Sequence, residues 1–166
     1  EDLAKYFNVS LQTIRKDLNE LCSDGQLERV HGGAIIPSHI ENIEYEQRKN
    51  INLLGKQAIG QECAKKIPNE ICLFMGIGTS TETAAKLLLA HKNLLIVTNN
   101  LNIANVLKNN TNCEVVITGG NLRKSDGALI GQPALETIKN FKFDLAVLGC
   151  SALDSEGNML DFDTQE

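Results

Sequence analysis

The chain has 166 residues, 42% of them hydrophobic and 22% charged, with a net charge of −5. That composition supports a packed core and contains no low-complexity tract. No apolar run approaches the roughly 20 residues of a membrane helix, and an acidic balance argues mildly against a nucleic-acid partner unless basic side chains are gathered on one face.

The chain opens on Glu1 rather than Met and closes at Asp163-Thr164-Gln165-Glu166, and both ends are expected to be cuts in a longer protein. Residues 2–7 read as the tail of a helix with Leu3 and Phe7 on one face. Asn8-Val9 follows as a tight turn, and Ser10 is placed to cap the next helix by accepting a backbone N–H bond. That helix is expected from Leu11 to about Cys22, with Ile14, Leu18, Leu21 and Cys22 at helical spacing. Asp24-Gly25 ends it. A strand over 26–30, a Gly32-Gly33 turn and a return strand over 34–36 complete the pattern of a winged helix-turn-helix, whose first helix would lie upstream.

Residues 37–47 lack sustained periodicity. We expect a DNA-binding domain over 1–38, a linker over 39–49 and a second domain over 50–166 that opens on a helix to about Lys66. Beyond it, strands 71–75, 94–98, 115–118 and 145–149 alternate with helices 82–89, 101–108 and 134–141. Short apolar strands separated by helices imply a parallel sheet covered on both faces, so this half is expected to be α/β.

Cys22, Cys63, Cys72, Cys113 and Cys150 are odd in number, form no C-x-x-C pair and mostly fall in apolar stretches. Free thiols in a reducing cytoplasm explain them. His31, His39 and His91 are scattered, so neither a metal site nor a cofactor is expected.

Residues 1–38 do not show a basic excess: Lys5, Arg15, Lys16 and Arg29 are outnumbered by Glu1, Asp2, Asp17, Glu20, Asp24 and Glu28. The case for DNA therefore rests on position. With Leu11, Ile14 and Leu18 turned inward from the Ser10 cap, Gln12, Thr13, Arg15 and Lys16 are left on or near the outer surface. Gln presents a paired donor and acceptor suited to an adenine edge, Thr a methyl and a hydroxyl, and Arg and Lys suit phosphates or guanine. Arg29 and His31 would sit on the wing. An ordinary amphipathic helix with a solvated face has the same spacing; the cap, the short turn and the Gly-Gly hairpin together favour DNA.

In the second half, Gly76-Ile77-Gly78-Thr79-Ser80-Thr81 follows a strand and opens a helix. Free N–H groups and the helix dipole at such a terminus favour an anion, and Thr79, Ser80 and Thr81 add hydroxyls. The Gly-Lys-Ser/Thr ending of a nucleotide loop is missing, and so is the dinucleotide pattern. Thr98-Asn99-Asn100, Gly119-Gly120 with Arg123, and Gly149-Cys150-Ser151 end other strands, where open parallel sheets hold ligands. Each is equally readable as a plain turn; together they outline a pocket for a small polar anion. An isomerase-type enzyme is the rival reading, with Asp154, Asp161, Asp163 and Glu166 as candidate acids.

The run Val-Ser-Leu-Gln-Thr-Ile-Arg-Lys-Asp-Leu-Asn-Glu-Leu from Val9, followed by Arg29-Val30-His31-Gly32-Gly33-Ala34, strongly resembles the DeoR family of bacterial repressors. The resemblance covers nearly the whole chain. It implies that the 10–22 helix is the recognition helix, that 26–36 is the wing, and that the second half is a sensor similar in fold to ribose-phosphate isomerases. Leu73–Thr79, Val97–Asn102, Asp126-Gly127 with Ile130-Gly131, and Leu160–Asp163 leading to Glu166 resemble the branch that responds to sn-glycerol 3-phosphate. That implies a non-enzymatic repressor on double-stranded operator DNA, released by a phosphorylated metabolite and acting as a homo-oligomer. It also implies effector contacts at Gly78, Thr79, Ser80, Thr81, Thr98, Asn99, Asn100, Gly119, Gly120, Arg123, Gly149 and Glu166. Two departures stand out. The family usually carries Asp where this chain has Gly76, and its chains continue past Glu166 through further strands and a lysine-containing stretch.

Overall fold

A computed structural model describes residues 2–24, 26–30, 32–35 and 45–163. His31, Glu166, Gly25 and most of the expected linker lie outside the described residues. The chain divides into two compact units, 1–40 and 41–166.

In the first unit, α1 (Asp2–Phe7) and α2 (Leu11–Ser23) are joined through Asn8, whose positive φ of 53° turns the chain. Asn tolerates that left-handed conformation better than most residues. The Val9 N–H closes onto the Ala4 carbonyl at 3.0 Å. Ser10 caps α2 as its sequence signals, accepting the Thr13 N–H at 3.0 Å. β1 (Glu28–Val30) and β2 (Gly33–Ile35) form the antiparallel hairpin in the register Arg29↔Ala34. Ile14, Leu18, Leu21 and Cys22 are partly covered, as their spacing predicts. Leu11 departs from that expectation and is 44% exposed. Ala4 is the buried hydrophobic residue of this unit among the described residues.

The first described helix of the second unit is α3 (Tyr45–Asn50), all but its last residue within the 39–49 stretch expected to be a linker. Tyr-Glu-Gln-Arg-Lys-Asn shows no apolar periodicity; what orders it is tertiary, a Tyr45 hydroxyl bond to Glu82 at 2.7 Å. α4 (Leu53–Lys66) follows, capped by Asn52. Then come β3 (Cys72–Met75), α5 (Thr79–Leu87) running into a 3-10 turn, β4 (Leu94–Thr98), α6 (Leu101–Leu107) and β5 (Cys113–Ile117). The remainder is a hairpin of β6 (Asn121–Arg123) and β7 (Ala128–Ile130), α7 (Gln132–Lys139), β8 (Leu145–Val147), and a second hairpin of β9 (Ala152–Leu153) and β10 (Met159–Leu160). Neither hairpin was expected.

β5, β4, β3 and β8 form one parallel sheet in that order. Alternation along the strands decides the two faces. Leu73, Met75, Leu94 and Ile96 pack with Ala84, Ala85, Leu88, Ile103 and Leu107 of α5, its 3-10 extension and α6. Phe74 turns to the other face and meets Phe143 at 5.4 Å between ring centroids. Each fully buried large aliphatic side chain contributes about 1.5–3 kcal/mol, so this cluster anchors the strand ends that carry the polar loops. The order matters for function. From β3 the chain steps outward to β4 and β5, whereas β8 returns on the other flank of β3. A doubly wound sheet opens a crevice at such a reversal, beyond the carboxyl ends of its strands.

Candidate functional site

Two surfaces carry the residues singled out by the sequence. On α2, Gln12, Arg15 and Lys16 are exposed on one side of the helix. Thr13 is exposed too, but its hydroxyl lies 2.8 Å from the Ser10 hydroxyl, so both belong to the cap. Arg29 is exposed on β1. The capped first turn therefore presents a long amide and two cations without a competing ion pair among the described residues.

At the sheet reversal, Gly78 is the residue before α5, with φ of 141° and no side-chain cap. The N–H groups of Thr79, Ser80 and Thr81 have no helical partner, because a helix leaves its first donors open. The Thr81 hydroxyl donates to the Gly78 carbonyl at 2.7 Å and stabilises the turn itself. Among the described residues, the Thr79 and Ser80 hydroxyls make no hydrogen bond. Gly149, beyond β8, closes the other wall. A Cβ there would stand 2.9 Å from the Ile77 carbonyl oxygen and 3.8 Å from the Gly78 Cα. Gly76 is buried, and its N–H donates to the Val147 carbonyl at 2.9 Å.

Asn99 stands one residue past the Met75↔Thr98 pairing, beside Gly76. Its Nδ2 reaches the Leu129 carbonyl at 3.4 Å, while its Oδ1 is buried with no hydrogen-bond partner. A buried acceptor left in that state carries an energetic penalty.

Several expected contacts are occupied by the fold instead. Thr98 is fully buried and donates to the Met75 carbonyl at 2.7 Å. Asn100 is fully buried; its Oδ1 caps α6 through the Asn102 N–H at 2.8 Å, and its Nδ2 donates to Glu82 at 3.1 Å. Arg123 grips Asp126 with two bonds, Nε to Oδ1 at 3.0 Å and Nη2 to Oδ2 at 2.7 Å, and its Nη1 pairs with Asp163. Gly119 and Gly120 turn the chain from β5 into the β6–β7 hairpin. Gly120 needs its positive φ of 110°, and a Cβ there would lie 2.6 Å from the Ile130 carbonyl oxygen.

Glu82 was not singled out by the sequence. Its buried carboxylate accepts from the Tyr45 hydroxyl at 2.7 Å and from Asn100 and Asn102 Nδ2 at 3.1 Å each. Burial, then the Glu82 hydrogen bond, raises the Tyr45 phenol well above its ordinary range. An acid in the first turn of a helix is a visible signal, since it complements the dipole; its partners, from 18 to 37 residues away, are not.

Asp154, Asp161 and Asp163 of the rival enzyme reading have structural partners, and Glu166 lies outside the described residues. Asp154 accepts from Asn158 Nδ2 at 2.7 Å and from the Glu156 and Asn158 N–H groups, which hold its carboxyl below the usual range. Asp161 accepts from Ser151 at 2.6 Å, and Asp163 pairs with Arg123. Among the described residues no group of His, Cys, Asp and Glu is arranged to hold a metal, and no helix is long and apolar enough to cross a membrane.

Residues 1–39 match the family model described as the DeoR-like helix-turn-helix domain, and residues 51–166 the one described as the DeoR C terminal sensor domain. The glycerol-3-phosphate regulon repressor of Escherichia coli K12 is 45% identical over 100% of this chain and 66% of its own length. That of Haemophilus influenzae is 46% identical over 100% of this chain and 65% of its own. The HTH-type transcriptional repressor CsqR of E. coli K12 is 37% identical over 100% of this chain and 64% of its own. The chain thus spans just under two thirds of the length of these relatives, which are named as regulators of transcription rather than enzymes. A solved D-ribose-5-phosphate isomerase in complex with phospho-erythronic acid aligns at 17% identity and a TM-score of 0.35, over 51% of this chain and 45% of that one.

Proposed function

Because the chain belongs to the DeoR family of transcription regulators, we propose that it represses a carbohydrate or glycerol catabolic operon and leaves its operator when a phosphorylated polyol, sn-glycerol 3-phosphate in the first instance, binds the second unit. Operator contact falls to Gln12, Arg15 and Lys16 on α2, with Thr13 and Ser10 setting the first turn and Arg29 and His31 on the wing. A major-groove helix of this kind works on paired half-sites, which calls for a homo-oligomer.

The observation that carries the sensing half is the facing of Gly78 and Gly149 at the sheet reversal, with open N–H donors on one wall. A phosphate docks on the N–H groups of Thr79 to Thr81, with the Thr79 and Ser80 hydroxyls as further donors. Charge-assisted bonds of that type contribute about 1.5–3 kcal/mol each. Asn99 Oδ1, the unpartnered acceptor nearby, takes a polyol hydroxyl. Thr98, Asn100 and Arg123 shape this crevice without touching the ligand.

The repressors of E. coli and H. influenzae are named for the glycerol-3-phosphate regulon, which supports that ester over other phosphates. Gly76, where the family usually has Asp, makes the crevice less acidic and sets which polyol fits. The test is Thr79→Val in the full-length protein. Operator affinity stays within about two-fold of wild type, while release requires roughly ten-fold more glycerol 3-phosphate, the equivalent of one lost hydrogen bond. Unchanged release contradicts the docking site.

A further inference from the structure

The phosphate turn is wired to the first helix of the second unit. The Glu82 N–H closes the first turn of α5 onto the Gly78 carbonyl at 3.0 Å. Its side chain leaves the same turn and ends on Tyr45, in α3. Asn102 Nδ2 binds the same two groups, the Tyr45 oxygen at 2.9 Å and Glu82 Oε1 at 3.1 Å, and also the Asp126 carbonyl at 2.9 Å. One helical turn along α3, Arg48 Nη2 lies 3.9 Å from Asp126 Oδ2 while its Nε is buried with no partner. α3 is therefore held at the Tyr45 hydroxyl, which is fully bonded, at the Arg48 carbonyl, which accepts from Lys56 Nζ of α4, and at the Arg48 guanidinium, which is only partly satisfied. In sequence α3 follows the segment that leads out of the DNA-binding unit.

We propose that the Tyr45–Glu82–Asn102 node is the coupling element of the regulator, converting occupancy of the Gly78–Thr81 turn into a change at α3, the helix that follows the DNA-binding unit in sequence. This rests on the phosphate-site reading above. A dianion docked on the N–H groups of residues 79–81 draws the first turn toward itself and repels the Glu82 carboxylate one position further on. Both effects act on the atoms that hold Tyr45. The partly satisfied Arg48–Asp126 contact offers a second arrangement at small cost, because buried donors favour any geometry that pairs them. Coupling of this sort is a ratio of affinities, and a residue outside both ligand sites changes it without changing either site.

The test uses the full-length protein, its operator and sn-glycerol 3-phosphate. The coupling factor is the operator Kd with saturating effector divided by the Kd without it. In Tyr45→Phe, which keeps the ring and removes the hydroxyl, effector affinity measured by calorimetry stays within about two-fold of wild type while the coupling factor falls at least five-fold. Glu82→Gln, which reaches the node from α5, gives the same fall. A wild-type coupling factor in either folded variant overturns the inference and leaves the phosphate site standing. A wild-type protein whose operator Kd does not respond to glycerol 3-phosphate overturns both.

Discussion

Gly149 faces Gly78 across the carboxyl ends of β8 and β3, so closely that a Cβ on Gly149 would stand 2.9 Å from the Ile77 carbonyl oxygen. The obstacle is backbone, which cannot swing aside as a side chain does. Gly149→Ala should push the two walls apart at a cost of about 1–3 kcal/mol, the usual scale of overpacking. Effector affinity should fall roughly ten-fold, with operator binding unchanged. Calorimetry and a mobility-shift titration on the same preparation separate the two effects.

On the DNA side, Arg15 and Lys16 are exposed and lack an ion-pair partner among the described residues. Removing a phosphate contact lowers affinity for all sequences and flattens the salt dependence. Arg15→Ala should weaken operator binding at least ten-fold and leave the calorimetric affinity for glycerol 3-phosphate intact. An unaltered mobility-shift midpoint would mean that α2 faces the DNA differently.

Cys150 is the exposed thiol of the five and follows Gly149 directly. Cys63, Cys72 and Cys113 are partly buried, and that burial raises their thiols above the ordinary range. A thiol held protonated reacts slowly, because the thiolate is the nucleophile. Mass spectrometry after brief iodoacetamide treatment should find Cys150 modified first, and saturating glycerol 3-phosphate should slow that reaction several-fold. Equal rates with and without the ester would remove Gly149-Cys150 from the site wall.

If the phosphate docks on the first turn of α5, a change at Gly76 should alter selectivity rather than the phosphate requirement. A Cβ there would meet Leu148 Cδ2 at 3.1 Å, the tip of a side chain that is 57% exposed and free to move. Gly76→Asp should therefore fold, with a melting temperature within a few degrees of wild type. It should alter the ranking of phosphorylated polyols and leave non-phosphorylated ones unbound, as a panel of calorimetric titrations would show.

Much of this arrangement was legible in the sequence where one local rule decided it. Ser10 before an amphipathic run marks the start of α2, and apolar runs such as Leu94–Thr98 mark strands of a covered sheet. What escaped depends on distant partners. Tyr45 is helical because Glu82 and Asn102 hold its hydroxyl, and nothing in its own segment signals a helix. β6 and β7 are only three residues each, and β6, Asn-Leu-Arg, is mixed in polarity, so neither stands out. Thr98 and Asn100 show the deeper difficulty. Polar residues at a strand end serve a ligand or cap the next helix equally well, and burial alone reveals that here they serve the fold.

The most direct measurement of the central claim is calorimetric titration of the full-length protein with glycerol, sn-glycerol 3-phosphate and a hexose phosphate, paired with operator release by each. Glycerol 3-phosphate should bind and release the operator while glycerol does neither, since the open N–H donors in the first turn of α5 favour an anion. Equal affinity for glycerol and its phosphate would contradict the phosphate-binding turn. Tight binding of the hexose phosphate alone would keep the turn and replace the effector.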